Sequence, residues 1–317
     1  MTEMAIDPVI LFFLLGLAGG LLRSDLKLPS ALYETLSIYL LLAIGLKGGV
    51  ELANHSLLAL LPKMLTVLAV AAIIPLLAFP VLRSLGKMSR ADAASIAAHY
   101  GSVSVVTFAV GTAYLMRMNQ PFEGYMTVFL AMLEIPALVI GVLLARRGQG
   151  TVAWGKLLHE VFLGKSVFLL IGGLLIGWIV GSEDIKPISG VFFVLFKGVL
   201  ALFLLEMGLI AARQIGDLRS CGLFLITFGV ITPLLSGTLG IATGWFLGLS
   251  AGGTMLLATL YASASYIAAP AVMRIAVPEA NPALSIGASL GITFPFNLMV
   301  GIPVYYWMAT NYHLIGV

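Results

Sequence analysis

The stretch Ala98-His99-Tyr100-Gly101-Ser102-Val103-Ser104 interrupts an apolar segment of helix length, and how it is read decides the fold. A similar pattern returns as Thr259-Leu260-Tyr261-Ala262-Ser263-Ala264-Ser265, with a tyrosine and two serines at the same relative positions. Polar breaks at corresponding places in two halves of a hydrophobic chain point to the substrate site of a secondary transporter.

The rest of the chain fits that setting. Its 317 residues are 60% hydrophobic and 10% charged, with a mean hydropathy of +1.08, far from the composition of soluble domains. A spanning helix needs about 20 apolar residues. About ten such stretches follow one another, near 8–22, 30–46, 57–82, 91–116, 122–145, 166–180, 191–212, 221–247, 251–275 and 283–308. The expectation is an all-α polytopic membrane protein. A net charge of +3 does not point to nucleic acid, because basic runs with exposed aromatic surface are lacking. The single cysteine, Cys221, forbids an intrachain disulfide and reads as a small apolar residue. With Glu3 and Asp7 ahead of the first apolar run and no convincing cleavage site, that run reads as a retained span rather than a signal peptide.

The halves repeat beyond the opening motif. Ile73-Ile-Pro75-Leu-Leu77 matches Ile231-Thr-Pro233-Leu-Leu235, Glu134-Ile-Pro136 matches Thr293-Phe-Pro295, and Ile44-Gly-Leu46 matches Met207-Gly-Leu209, all in chain order at a near-constant offset. The expected organisation is a first five-helix repeat over 1–147, a cytoplasmic linker over 148–165 and a second repeat over 166–317. Five is odd, so the second repeat enters from the opposite side and is inverted. Alternating the loops puts Arg23, Lys27, Arg83, Lys87, Arg90, Arg146, Arg147, Lys156, Lys165, Arg213, Arg219 and Arg274 on one side. Lys47, Lys63, Arg117, Lys186 and Lys197 fall toward the other. The richer side is cytoplasmic by the positive-inside rule, so both termini face out. Within the linker, Trp154, Leu157, Leu158, Val161 and Phe162 lie at helical spacing opposite Lys156, His159 and Glu160, as a surface-lying helix or a plain turn would have them.

A break frees backbone amides, which hydrocarbon tolerates only where protein or a water-filled cavity satisfies them. A half-helix starting near Ser102 and another after Ser265 each aim N–H groups and a positive dipole end inward. With hydroxyls of Ser102, Ser104, Ser263 and Ser265, and no Arg or Lys in either break, this is chemistry for a small anion held by dipoles and hydrogen bonds. The candidate substrate-binding residues are Tyr100, Gly101, Ser102, Ser104, Tyr261, Ala262, Ser263 and Ser265. Serine also bonds its own helix backbone, and glycine also serves close packing; the matched pair favours a site over those alternatives. His99 reads first as a packed, hydrogen-bonded residue.

Carboxylates deep in a span are functional candidates. Glu134 and Glu206, with Ser102, Thr107 and Asn297, are the candidate sodium ligands, since a hard cation takes oxygen. The competing reading for Glu206 is an ion pair with Lys47 or Lys197. No cofactor is expected beyond sodium as a coupling ion. The spacings Gly16/Gly20, Gly173/Gly177/Gly181 and Gly240/Gly244/Gly248 read as helix-packing seams. Asn54-His-Ser56 is a sequon of low specificity, and neither a zinc-protease helix nor a phosphate-binding glycine loop is present.

With Ala43-Ile-Gly-Leu-Lys-Gly-Gly49, Ala97-Ala-His-Tyr-Gly-Ser-Val-Ser-Val-Val-Thr-Phe108, Leu133-Glu-Ile-Pro-Ala137, Leu205-Glu-Met-Gly-Leu209 and the break from Tyr261 to Pro270 in view, the chain resembles the sodium-dependent bicarbonate transporter family first known from cyanobacteria. The resemblance implies ten helices in two inverted repeats, with a core domain holding two crossed broken helices and a separate gate domain. It implies sodium-coupled bicarbonate uptake by a vertical, elevator-like core movement, a homotrimer, and the bacterial cytoplasmic (inner) membrane. By position it puts the anion on Gly101, Ser102, Ser104, Ala262 and Ser263. Cyanobacterial members use a long connection between the halves with a PII-like regulator. Here that connection is about 20 residues, which counts against such a regulator and against bicarbonate as the exclusive substrate. Sodium/proton antiport or organic-anion transport on a related scaffold is the alternative, and a membrane sensor a remote one.

Overall fold

The computed structural model describes residues 7–147, 154–217 and 222–311. Every regular element among them is a helix. Glu3, Arg219, Cys221 and part of the linker lie outside the described residues, as do the side chains of Trp154, Lys156 and Leu157. The helices are α1 (Pro8–Leu21), α2 (Ser30–Leu52), α3 (Leu57–Ser84), α4 (Arg90–Gly101), α5 (Val105–Arg117), α6 (Met126–Arg146), α7 (Trp154–Leu163) and α8 (Lys165–Asp184). After them come α9 (Lys186–Ser189), a π turn over Gly190–Val194, α10 (Phe196–Asp217), α11 (Gly222–Phe246), α12 (Ala251–Ala262) and α13 (Ala268–Ala276). The last apolar segment is α14 (Pro282–Ile286), α15 (Phe294–Phe296) and α16 (Ile302–Thr310), joined by π turns over Gly287–Thr293 and Asn297–Gly301. Pro295 lacks an N–H, and π turns are a known way of absorbing such a defect in a helix.

Among the described residues, eight helical segments are long and apolar enough to cross a membrane, with Arg90–Arg117, Lys186–Gln214 and Pro282–Thr310 each taken as one. The apolar helices Pro8–Leu21 and Ala251–Ala262 are shorter. Large apolar side chains such as Leu58, Ile179, Leu223 and Phe246 lie on the surface, as a hydrocarbon solvent requires and water does not allow over so wide an area. The chain is a multi-pass membrane protein.

Small residues set the closest helix approaches. α1 packs along α10 and α2 along α8. A Cβ on Gly16 would fall 1.9 Å from the Leu205 carbonyl oxygen, and one on Gly49 would fall 2.1 Å from that of Leu174. Gly173 and Gly177 face α2, and Gly240 and Gly244 face α12. Gly16 and Gly20 both pack on α10, while the other two expected seams stop short of their last members. Gly181 (φ 71°) and Gly248 (φ 64°) have no atom within reach of an added Cβ. Their positive φ serves a backbone turn instead, inside α8 and after α11. In the linker α7 is a helix. Val161 is buried while Leu158 and Phe162 stay exposed, and α7 packs against α13 and α8.

The two ends of the molecule differ. At one, Arg90 bonds the Arg147 carbonyl, Arg146 pairs with Glu279 at 3.0 Å, and Asn281 N donates to Asp92 at 2.7 Å. At the other, Lys63 Nζ lies 3.3 Å from the Tyr125 hydroxyl and Glu123 accepts from Ser250 N at 2.6 Å. α4 therefore starts at the first end and α12 at the second, and the two run toward each other.

Candidate functional site

α4 begins under a Ser89 cap that accepts from Asp92 N, and it is buried from Ala93 to Gly101. It stops where Gly101 passes between α3 and α6. An added Cβ there would stand 2.7 Å from Pro75 Cδ and 2.8 Å from Ala137 Cβ, so no larger residue fits without displacement. Ser102 and Ser104 are extended. Ser104 Oγ then accepts from Thr107 N at 3.1 Å and caps α5. A helix leaves its first amides without internal partners, and this cap takes one of the first three, leaving the N–H groups of Val105 and Val106.

α12 repeats the plan. Ser250 caps it, and it runs to Ala262 and ends on an extended Ser263. Ser265 Oγ accepts from Ala269 N at 3.2 Å at the start of α13. The third residue of α13 is Pro270, which has no N–H. Its first turn therefore keeps only the amide of Ala268.

The two breaks touch. Ser104 N donates to Ser263 Oγ at 2.9 Å, and Ser265 N donates to the His99 carbonyl at 2.8 Å. Ser263 Oγ passes its own proton to the Leu260 carbonyl at 2.8 Å. Ser102, Ser104, Ser263 and Ser265 are all buried. Ser102 Oγ donates to the backbone carbonyl of Glu134 at 3.2 Å, which brings α6 to the same place.

Not every residue singled out in the sequence opens onto this meeting point. Thr293 Oγ1 donates to the Gly229 carbonyl at 2.7 Å, so the proton of Tyr100, 2.7 Å away, goes to Thr293. Gly229 is four residues before Pro233, whose missing N–H leaves that carbonyl free. Tyr261 donates to the Val67 carbonyl at 2.7 Å. The tyrosine hydroxyls thus tie the breaks to α11 and α3. Asn297 Nδ2 donates to the Ala262 carbonyl at 2.8 Å, and the Tyr305 hydroxyl stands 3.0 Å from Asn297 Oδ1 and 3.1 Å from the Pro233 carbonyl. Thr107 meets the site through its backbone N–H, which donates to Ser104 Oγ.

Glu134 is buried on α6, and its Oε2 has no hydrogen-bond partner. His99 Nδ1 lies 2.7 Å from the Ser95 carbonyl, so that nitrogen carries the proton and Nε2 is left as a bare, buried acceptor. Glu206 Oε2 is also buried without a partner, on α10. The competing ion pair with Lys47 or Lys197 is not among the ion pairs of the described residues. Both lysines instead line a separate cavity. No group of three His, Cys, Asp or Glu side chains among the described residues could hold a metal, so any cation here would need hydroxyl and carbonyl oxygens beside carboxylate.

The model of the Na+-dependent bicarbonate transporter superfamily matches residues 8–310. The chain belongs to that family. No match emerged from comparison with curated proteins. For the Na+-dependent bicarbonate transporter superfamily, a small anion as substrate and sodium as coupling ion are the expected ligands. The uncommitted polar groups near the breaks include the amides of Val105 and Val106 and the carboxylate oxygen Glu134 Oε2. Thr293 and Tyr305 escaped the sequence reading as site residues. The signals were there, since Thr293 occupies the repeat position of Glu134 and Tyr305 follows Asn297 by eight residues on one helical face.

Proposed function

We propose that the chain is a sodium-coupled symporter that imports bicarbonate or a similar small oxyanion. The anion sits where the two breaks meet, on the amides of Val105 and Val106 with Ser102, Ser104, Ser263 and Ser265 around it. The observation that carries this reading is the pair of hydrogen bonds from Ser104 N to Ser263 Oγ and from Ser265 N to the His99 carbonyl. Polar backbone is concentrated there, at the tips of helices running from opposite ends, with no fixed cation to hold the cargo too tightly. Weak, dipole-based binding suits a carrier that must release what it picks up.

Sodium is placed beside Glu134. A buried carboxylate oxygen without a donor is costly, and a sodium ion supplies the missing partner while offsetting the charge of the anion. Each ligand then favours the other, which is the thermodynamic content of coupling. Ser102, Thr107, Asn297 and Glu206 are the further candidate ligands. The matched Pro75 and Pro233, Gly101 and Ala262, and Glu134 and Thr293 support ten helices in two inverted repeats, 1–147 and 166–317, around the linker. The seams between α1 and α10 and between α2 and α8 support a rigid gate, against which the set containing both breaks moves in an elevator-like step. The clustering of Arg83, Arg90, Arg146 and Arg147 at one end supports a cytoplasmic assignment for that end, with both termini outside. Assembly as a homotrimer in the bacterial inner membrane, among lipid, follows the family resemblance, as does the absence of enzymatic activity.

The test is uptake of labelled bicarbonate by proteoliposomes under an inward sodium gradient, repeated with chloride, nitrate, sulfate and acetate as competitors. Uptake should vanish when the gradient is collapsed. Uptake that is unchanged without sodium would sink the coupling.

A further inference from the structure

A cavity of about 660 Å³ lies between α2, α5, the turn at 119–124 and the start of α10. Its wall carries Lys47 and Glu51 from α2, Phe108 and Thr112 from α5, Thr127 from α6 and Lys197 from α10. Phe108 follows Ser104 by four residues, roughly 6 Å along the helix axis, so the cavity reaches within about one turn of the breaks.

The lysines are in unusual places. Lys197 lies eleven residues beyond Lys186 in the 29-residue apolar segment Lys186–Gln214, and Lys47 lies seventeen residues beyond Ser30 in the 23-residue segment Ser30–Leu52. Both side chains are exposed, and neither makes an ion pair among the described residues. An ammonium group so far inside an apolar segment is expensive unless it faces water, and the cavity is the water-accessible space both of them share. Their charges repel one another across it, and Glu51 attracts Lys47 from one turn away. One carboxylate against two ammonium groups leaves the cavity positive.

We propose that this cavity is an antechamber that gathers small monovalent oxyanions at Lys47 and Lys197 before they reach the helix breaks, an assignment that rests on the symporter reading. Charged walls around a confined aqueous space raise the local concentration of the opposite charge. Without a fixed hydrogen-bonding cradle the two lysines hold an anion loosely, so it can move on toward Val105 and Val106. The division of labour is physical: full charges attract at the mouth, and partial charges bind where the cargo must later leave.

One experiment judges the cavity without transport. In a Cys221→Ser background, a Thr112→Cys reporter is labelled by a sulfonate-bearing methanethiosulfonate and by its trimethylammonium counterpart. The anionic reagent should react faster, and Lys47→Gln with Lys197→Gln should lower the ratio of the two rates about tenfold at low ionic strength. At 1 M salt the difference should shrink, because the screening length falls to about 3 Å. An unchanged ratio, or a cysteine that neither reagent reaches, overturns the antechamber. In bicarbonate uptake the same double variant should raise KM severalfold at unchanged Vmax, and Lys47→Arg with Lys197→Arg should restore it. A parent protein that moves none of the anions tested overturns the symporter reading instead, and the labelling ratio still decides the cavity.

Discussion

At the first break the chain turns on Gly101 and leaves the amides of Val105 and Val106 uncapped, while Glu134 Oε2 on α6 and His99 Nε2 on α4 are buried with no hydrogen-bond partner. At the second, Ala262 stands in the place of Gly101, Pro270 removes an amide from the outset, and Asn297, Thr293 and Tyr305 are all hydrogen-bonded. Buried polar groups are normally satisfied. Unsatisfied ones occur on both sides, but they differ in kind: two amides and two bare acceptors at the first break, the buried Tyr266 hydroxyl and the Ala268 amide at the second, so the two breaks share a plan without being equivalent. The first break carries the amides and the carboxylate oxygen on which the proposed ligands would rest. The second brings Ser263 and Ser265 to the same meeting point, while Asn297, Thr293 and Tyr305 fix its position.

The largest effect should come from the corner itself. Gly101→Val puts carbon atoms into space already held by Pro75 and Ala137 and should reduce sodium-driven uptake to background, with a cost in stability of about 1–3 kcal/mol from overpacking. Ala262→Gly at the matching corner adds no atom and should keep most uptake. Uptake and thermal unfolding of the purified variants measure both. Equal losses at the two corners would break the asymmetry.

Next in size is the carboxylate. Glu134→Gln preserves shape and removes the charge that sodium is proposed to need. Uptake should fall by about tenfold, the equivalent of about 1.4 kcal/mol, and more sodium should be needed for half-maximal rate. Thr293→Ser at the matching position keeps its hydroxyl and should leave the sodium titration where it was. A Glu134→Gln protein with full uptake and an unshifted sodium response would make that residue a neutral structural group.

How far the sequence could carry this reading is clear from particular residues. The breaks are legible because glycine, serine and tyrosine interrupt otherwise apolar text, and their pairing is legible from the near-constant offset. The commitments of the hydroxyls are not. Ser104 as the cap of α5 and Ser263 as the acceptor for Ser104 N depend on rotamers and on two distant segments touching, which residue types do not encode. Gly181 and Gly248 share the spacing of a seam, but a seam also needs a facing helix, and neither has one. Lys47 and Lys197 read as partners for Glu206 because all three are charges in apolar spans, yet side-chain direction sends the lysines to a cavity instead.

Smaller effects should separate the bonds between the breaks from those within them. Ser263→Ala leaves the buried Ser104 N without its acceptor, a loss of about 1–3 kcal/mol, and also loosens the joint at which the anion is proposed to sit. Ser265→Ala leaves the buried Ala269 N without its acceptor, a loss of about 1–3 kcal/mol, while the bond from Ser265 N to His99 survives because it is backbone. The two variants should therefore differ more in uptake than in stability, with Ser263→Ala the weaker transporter. If they lose stability and uptake in the same proportion, the serines act only as structural caps.

The smallest expected change tests the tethers. Tyr100→Phe and Tyr261→Phe each delete a hydroxyl that bonds outside the meeting point, at a cost of about 0.5–1.5 kcal/mol each. Tyr100→Phe should cost less, because Thr293 keeps its own bond to the Gly229 carbonyl, whereas Tyr261→Phe removes the only hydroxyl bonded to the Val67 carbonyl among the described residues. Neither change removes a group placed on the anion, so the KM for bicarbonate should stay near that of the parent in both. A rise in KM with either phenylalanine, at unchanged stability, would move that tyrosine from the scaffold into the binding site and make the two breaks more alike than their hydrogen bonds indicate.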